Sequence, residues 1–338
     1  MTTTRASAVL APFPWFGGKR RAAPLVWERF GDVPNYVEPF FGSGAVLLNR
    51  TTAPGIETVN DLDGYLANFW RAVQADPETT ARWADWPVNE NDLSARHLWL
   101  LGQRGTLQAR LSGDPDYFDA KIAGWWVWGL CSWIGSGWCS GNGPWQADES
   151  GALVDTRKLP HLSPGQGINR QLPHLGNAGQ GINRQRPHLG DAGRGILDQF
   201  EALSERLRGV RVASGDWTRV LGDSPTVNLG MTGVFLDPPY GDAAERTADL
   251  YREDSGSVAA DVRAWCAANG ANPLLRIAFC GYEGEGHDEL TGLGWSVEAW
   301  KAGGGYGAQS QQHDNPNARR ERIWFSPACL DKQQMTML

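Results

Sequence analysis

The chain has 338 residues, with 38 acidic against 31 basic side chains and a formal net charge of −7 at pH 7; this excludes a uniformly basic nucleic-acid coat and leaves a local basic patch as the route to phosphate. Its 41% hydrophobic content is enough to bury a large core, as one α/β domain or as a domain carrying a sizeable insertion. Five scattered cysteines without a CxxC pair are expected to be free thiols in a reducing compartment, with neither disulfide nor structural zinc.

The opening MTTTRASAVLAPF has no apolar secretory core, so a cytoplasmic location is expected. Asn35 to Val37 reads as a short strand, followed by the glycine turn Phe41-Gly42-Ser43-Gly44 and an apolar run, Ala45 to Leu48, that predicts a helix. Thr58 to Asp61 predicts a second strand ending on an acid. Leu66, Phe69, Trp70 and Val73 then fall on one helix face, which stops before Pro77.

From about 75 to 197 this alternation breaks down. Six of the 17 tryptophans (Trp125, Trp126, Trp128, Trp133, Trp138, Trp145) lie in one segment, where packing of a helix and its following loop accounts for them better than base stacking. The uncharged stretch Ile122 to Cys139 is 18 residues long, which is long enough to span a bilayer, but its glycines make it a poor span and no membrane is expected. An internal repeat follows: LPHLSPGQGINRQ, LPHLGNAGQGINRQ, RPHLGDAGRGI. Its proline and glycine content predicts turns linking short extended pieces. Between Arg157 and Arg194 it holds six Lys or Arg against one acid. His161, His174 and His188 lack matching acid or cysteine ligands, so no metal is expected.

Beyond the repeat, Phe200, Leu203 and Leu207 predict a helix and Val210 to Val212 a strand that ends at Gly215-Asp216-Trp217. Gly233 to Leu236 predicts a strand running into Asp237-Pro238-Pro239-Tyr240. The runs Leu274 to Phe279, Trp295 to Trp300 and Arg322 to Phe325 supply further strands. The alternation implies a mainly parallel sheet covered by helices.

Two motifs carry chemistry. After Gly42 and Gly44, Leu47 occupies the third position of G-x-G-x-x-G, so a pyrophosphate fingerprint is incomplete and a cofactor without phosphate fits better. Asp61 follows the second strand, where an acid can accept hydrogen bonds from ribose hydroxyls. In DPPY the prolines restrict the backbone beside Asp237. An acid, a rigid carbonyl and an aromatic ring could accept the hydrogens of an exocyclic amine and clamp its base.

Pro14-Trp15-Phe16-Gly17-Gly18-Lys19, Tyr36 to Gly44, Asn60-Asp61, Gly215-Asp216-Trp217 and DPPY, in that order, resemble the Dam-type (DPPY, alpha-group) DNA N6-adenine methyltransferases. The resemblance covers the first 75 residues and roughly 195 to 330. It implies a Rossmann-like, S-adenosylmethionine-dependent methyltransferase sheet with an inserted target-recognition region. The expected catalytic domain is 1–74 plus 198–330, with the insertion at 75–197 and a flexible tail at 331–338.

By the same resemblance, Trp15 and Lys19 lie near the cofactor, and Glu38, Pro39, Phe40, Gly42 and Gly44 wrap its methionine part. Asp61 binds ribose, Asp216 and Trp217 address the cofactor's adenine, and Asp237, Pro238, Pro239 and Tyr240 hold the target amine of a flipped base in double-stranded DNA. Arg170, Arg184 and Arg194 are expected to contact phosphate. Another exocyclic amine, on cytosine N4 or an RNA base, and a non-catalytic DNA-binding module of the same fold remain as alternatives. Pro14 stands where the family has a lysine, and the family's recognition segment is replaced by residues 131–138 and the repeats, so no target site carries over.

Overall fold

The computed structural model describes residues 9–13, 15, 18–52, 55–133, 137–139, 145–147, 153–155, 195–239, 255–300 and 320–331; at 145–147, 153–155 and 255–257 only the backbone is described. The N-terminal strands are β1 (Asn35–Glu38) and β2 (Ile56–Asp61), and a small antiparallel hairpin joins β3 (Trp145–Ala147) to β4 (Leu153–Asp155). The remaining strands are β5 (Val210–Ser214), β6 (Thr232–Leu236), β7 (Leu275–Tyr282), β8 (Ser296–Ala299) and β9 (Glu321–Phe325). Seven of them form one sheet in the order β5-β2-β1-β6-β7-β9-β8. The first five run parallel, while β9 is antiparallel to both β7 and β8.

Side chains alternate along each strand and fill two cores, one on each face. Tyr36, Phe235, Ala278, Cys280, Ile323 and Phe325 join the cluster built with helices α1 (Ala23–Phe30), α2 (Gly64–Ala75) and α6 (Ile196–Leu207). Val37, Val234, Leu236, Ile277, Phe279 and Trp324 face the other way, onto α7 (Ser255–Asn269). The architecture is a Rossmann-like α/β fold with helices on both sides of a mixed, mostly parallel sheet.

Helix α2 starts where the Asp63 carboxylate accepts the Tyr65 amide at 2.9 Å, a typical N-cap. The expected face of Leu66, Phe69, Trp70 and Val73 is fully buried. Pro77 does not end helical structure: it opens α3 (Pro77–Ala84), where a proline lacks no bond and Asp76 caps the Thr79 amide at 3.0 Å.

Two further helices, α4 (Glu90–Gly113) and α5 (Ala120–Ser132), occupy the stretch in which the sequence alternation is lost. Their buried side chains share a core with the sheet-covering helices: Trp126 of α5 meets Phe69 of α2 with ring centroids 5.8 Å apart, and Phe13 wedges against both. Trp126, Trp128, Trp133 and Trp138 are buried, and the Trp138 indole donates to the Trp126 carbonyl at 2.9 Å. Gly129 makes this possible, since a Cβ there would lie 1.7 Å from the Trp138 ring. The apolar stretch beginning at Ile122 thus enters the core within α5, a helix of 13 residues that starts at Ala120, and no described helix is long and apolar enough to cross a membrane. Cys131, Cys139, Cys266, Cys280 and Cys329 are buried free thiols.

The helix expected over Ala45 to Leu48 is a turn followed by a single 3-10 turn, Leu47–Asn49. The next residue, Arg50, is drawn off the helical path, donating to the Val33 carbonyl at 2.6 Å and to Glu57 at 3.1 Å.

Candidate active site

Chain order runs from β1 outward through β2 to β5, then returns across β1 to β6 and β7. The reversal lies between β1 and β6, where parallel α/β sheets open a crevice at their carboxyl ends. Glu38 ends β1 and Asp237 follows β6 at this place. Lys19, from a short 3-10 turn at Lys19–Arg21, reaches the second of these acids, with its Nζ 2.9 Å from Asp237 Oδ1. Its side chain is almost wholly buried, and its ammonium also lies over the Trp300 ring, 5.4 Å from the centroid. Burial opposes the lysine's charge, but Asp237 and Glu321 nearby outweigh burial and hold its pKa above the ordinary value.

The glycine turn is braced from three directions. The Gly42 amide donates to Asp61 at 3.0 Å, its carbonyl accepts from the Trp70 indole at 3.0 Å, and the Trp15 indole covers its Cα. Gly42 has φ +51°, a left-handed conformation that a side chain would strain, and a Cβ would lie 2.7 Å from the Trp15 nitrogen. Asn60 ties the neighbouring loops together by donating to the Pro39 carbonyl at 3.1 Å and the Gly215 carbonyl at 2.9 Å.

Asp61 thus has a structural task beside the expected one: Oδ2 takes the Gly42 amide and Oδ1 the Asp63 amide at 3.0 Å. Burial pushes its pKa up to about 7 despite those amides. Glu38 is also raised well above the usual carboxylate range, first by burial and also by Asp237 and Asp61, against the stabilising 2.8 Å bond from the Tyr36 phenol. Asp216 is exposed and caps the Thr218 amide at 2.9 Å. Beside it, Trp217 stacks on Phe40 with centroids 6.1 Å apart and planes at 26°.

The structure therefore gathers Trp15, Lys19, Glu38, Pro39, Phe40, Gly42, Gly44, Asp61, Asp216, Trp217, Asp237, Pro238 and Pro239 around the carboxyl edge of β5, β2, β1 and β6. Tyr240, Arg170, Arg184, Arg194 and the three repeat histidines lie outside the described residues. Among the described residues no three His, Cys, Asp or Glu side chains are grouped to hold a metal ion.

Sequence reasoning missed Glu321, Trp300, Cys280 and Tyr282. Glu321 pairs with Tyr282 across β9 and β7 and is 5% exposed. Its signal was present in the chain: Glu321, Ile323 and Phe325 share one side of a strand, so two buried apolar residues place the acid inward.

No curated protein matches the chain. Residues 15–93, the segment holding Lys19, Glu38, the glycine turn and Asp61, match the family model of D12 class N6 adenine-specific DNA methyltransferases, consistent with the Dam-type family that the motifs resemble.

Proposed function

We propose that this chain transfers methyl from S-adenosylmethionine to N6 of an adenine flipped out of double-stranded DNA. The observation that carries the reading is Asp237, held at the switch point of the sheet within 2.9 Å of the Lys19 ammonium, inside a chain whose N-terminal segment matches an adenine-N6 methyltransferase family.

The donor set suits such a cofactor. Glu38, Asp61 and Asp237 make this edge rich in carboxyl oxygens, which as acceptors favour ribose hydroxyls over a pyrophosphate. Asp61 keeps acceptor capacity beyond its two amide bonds, and Leu62 beside it is 55% exposed, as an apolar surface for a nucleoside. In this reading Phe40 and Trp217, stacked on each other, border the cofactor's adenine, and Trp15 and the Glu38 to Gly44 turn border its methionine part. The cofactor supplies an electrophilic methyl, so the protein's task is alignment and charge placement. Asp237, with a carbonyl fixed by Pro238 and Pro239, accepts the amine hydrogens, and Tyr240 stacks on the base. Residues 157–196, with Arg170, Arg184 and Arg194, contact the DNA backbone as part of the 75–197 target-recognition region.

Labelled methyl from S-adenosylmethionine, incubated with the full chain and double-stranded DNA of mixed sequence, should appear in N6-methyladenine after digestion to nucleosides. Label on cytosine N4, label confined to RNA, or DNA binding with no label would each overturn the reading.

A further inference from the structure

Resting on the reading above, we propose that Glu321 is a positioning residue that keeps Lys19 from cancelling the negative charge with which Asp237 faces the substrate amine. In the proposed transfer the amine lone pair forms the new C–N bond, and the S–C bond breaks with its electron pair left on sulfur. The nitrogen carries positive charge until it releases a proton to water. A negative carboxylate beside that nitrogen lowers the barrier. Lys19, at 2.9 Å from Asp237, brings one positive charge against one negative, so the pair alone presents almost none.

Glu321 changes this sum. It enters the buried face through the β7–β9 register, opposite Tyr282. It is 5% exposed, and its Oε2 has no hydrogen-bond partner among the described residues. The charged and titratable groups acting on it are Lys19 from the N-terminal 3-10 turn and Asp237 after β6; Cys280 and Tyr282 of β7 respond to its charge in turn. Glu38 of β1 is driven toward its neutral form by burial, which raises its pKa well above the ordinary carboxylate range. An ionised Glu321 leaves the Lys19–Asp237–Glu321 group with one net negative charge, and a protonated Glu321 leaves it neutral. Burial pushes the Glu321 pKa up to about 7, held from rising further by Lys19, so the switch between these two states falls near neutrality.

The test uses the full chain, S-adenosylmethionine and double-stranded DNA in single-turnover transfer across pH 6 to 9, from about one unit below the midpoint to about two above it. In the wild type the rate should rise through pH about 7. Glu321→Gln should remove that rise and slow transfer at high pH by about tenfold or more, the scale of one unit charge acting at short range in a partly buried site. Cofactor affinity by calorimetry should be unchanged, and Glu321→Asp should recover the pH-dependent rise. A Glu321→Gln rate profile equal to the wild type, or a parallel loss of cofactor affinity, would overturn the inference.

A carboxyl ¹³C titration needs neither activity nor a stable Glu321 variant. The wild-type Glu321 midpoint should lie near 7 and move upward in Lys19→Gln; a midpoint in the ordinary carboxylate range, or one indifferent to Lys19, would overturn the inference. A wild type that methylates no adenine while showing this coupled titration would defeat the proposed function and leave the electrostatic linkage standing.

Discussion

Lys19 and Asp237 form a buried ion pair across 218 residues of chain, 2.9 Å between Nζ and Oδ1, with the lysine side chain 4% exposed and the aspartate 20%. Breaking such a pair from one side leaves a charge stranded. Asp237→Asn should therefore cost about 3 kcal/mol of stability, the lower end for a broken buried pair because Glu321 still faces the ammonium. It should also slow transfer by about 10² to 10³, the scale for removing one preorganised electrostatic interaction. The double variant Lys19→Met with Asp237→Asn should regain most of the stability in urea unfolding and none of the rate. Recovery of the rate would show that the charge on Asp237 is dispensable.

Asp61 holds the glycine turn open by accepting the Gly42 amide and is proposed to meet the ribose as well. Asp61→Ala should weaken S-adenosylmethionine binding by about 1 to 3 kcal/mol, the range for removing hydrogen bonds to a charged group. Calorimetry showing the wild-type affinity would remove Asp61 from the cofactor site.

Acid titration should reveal the strain of the site in the ligand-free protein. Asp61 and Glu321 are both pushed up to about 7 by burial, from ordinary values of 3.8 and 4.5. The folded state then binds their protons more tightly than the unfolded chain does, so these groups make stability fall as pH rises from about 4 to about 7. Lys19, raised above its ordinary value, stays charged throughout that window. Urea unfolding of Asp61→Asn with Glu321→Gln should show a flatter pH dependence than the wild type across this range; an equal slope would place the titration elsewhere.

Gly129→Ala should destabilise the protein by about 1 to 3 kcal/mol or more, because the new methyl would overlap the Trp138 ring in a packed core. A neutral effect in urea unfolding would mean that Trp138 does not seat on α5.

Replacing Arg170, Arg184 and Arg194 with Ala should leave cofactor affinity intact and flatten the salt dependence of DNA binding, by about 0.9 in the logarithmic slope for each phosphate no longer neutralised. An unaltered slope in fluorescence titrations would remove the repeats from the DNA interface.

The parallel half of the sheet and the placing of the candidate residues at its edge were legible because each piece has a local signature: apolar pairs ending on Glu38, Asp61 or Asp237, and glycines where the backbone must turn sharply. Helices α3 and α5 were hidden for two physical reasons. Pro77 reads as a stop although it starts a helix equally well, and α5 is apolar on nearly all sides, so no amphipathic period marks it. The Ala45 to Leu48 helix was misread because Arg50 leaves the helical path for Glu57 and the Val33 carbonyl, partners that no local pattern encodes. Glu321 and Trp300 escaped for a related reason: they reach Lys19 only through the pairing of strands distant in sequence.

The order β7-β9-β8 has a consequence for biosynthesis. β8 precedes β9 in the chain but touches the sheet only through it, so β8 has no docking place until residues 321–325 have left the ribosome. Those same residues deliver Glu321 to Lys19, which was synthesised some three hundred residues earlier. Closing the sheet edge and completing the charge cluster are therefore one late event. If Glu321 has the proposed role, a nascent chain that already carries the glycine turn and DPPY would hold a lysine-neutralised acceptor, and full transfer capacity would arrive with β9.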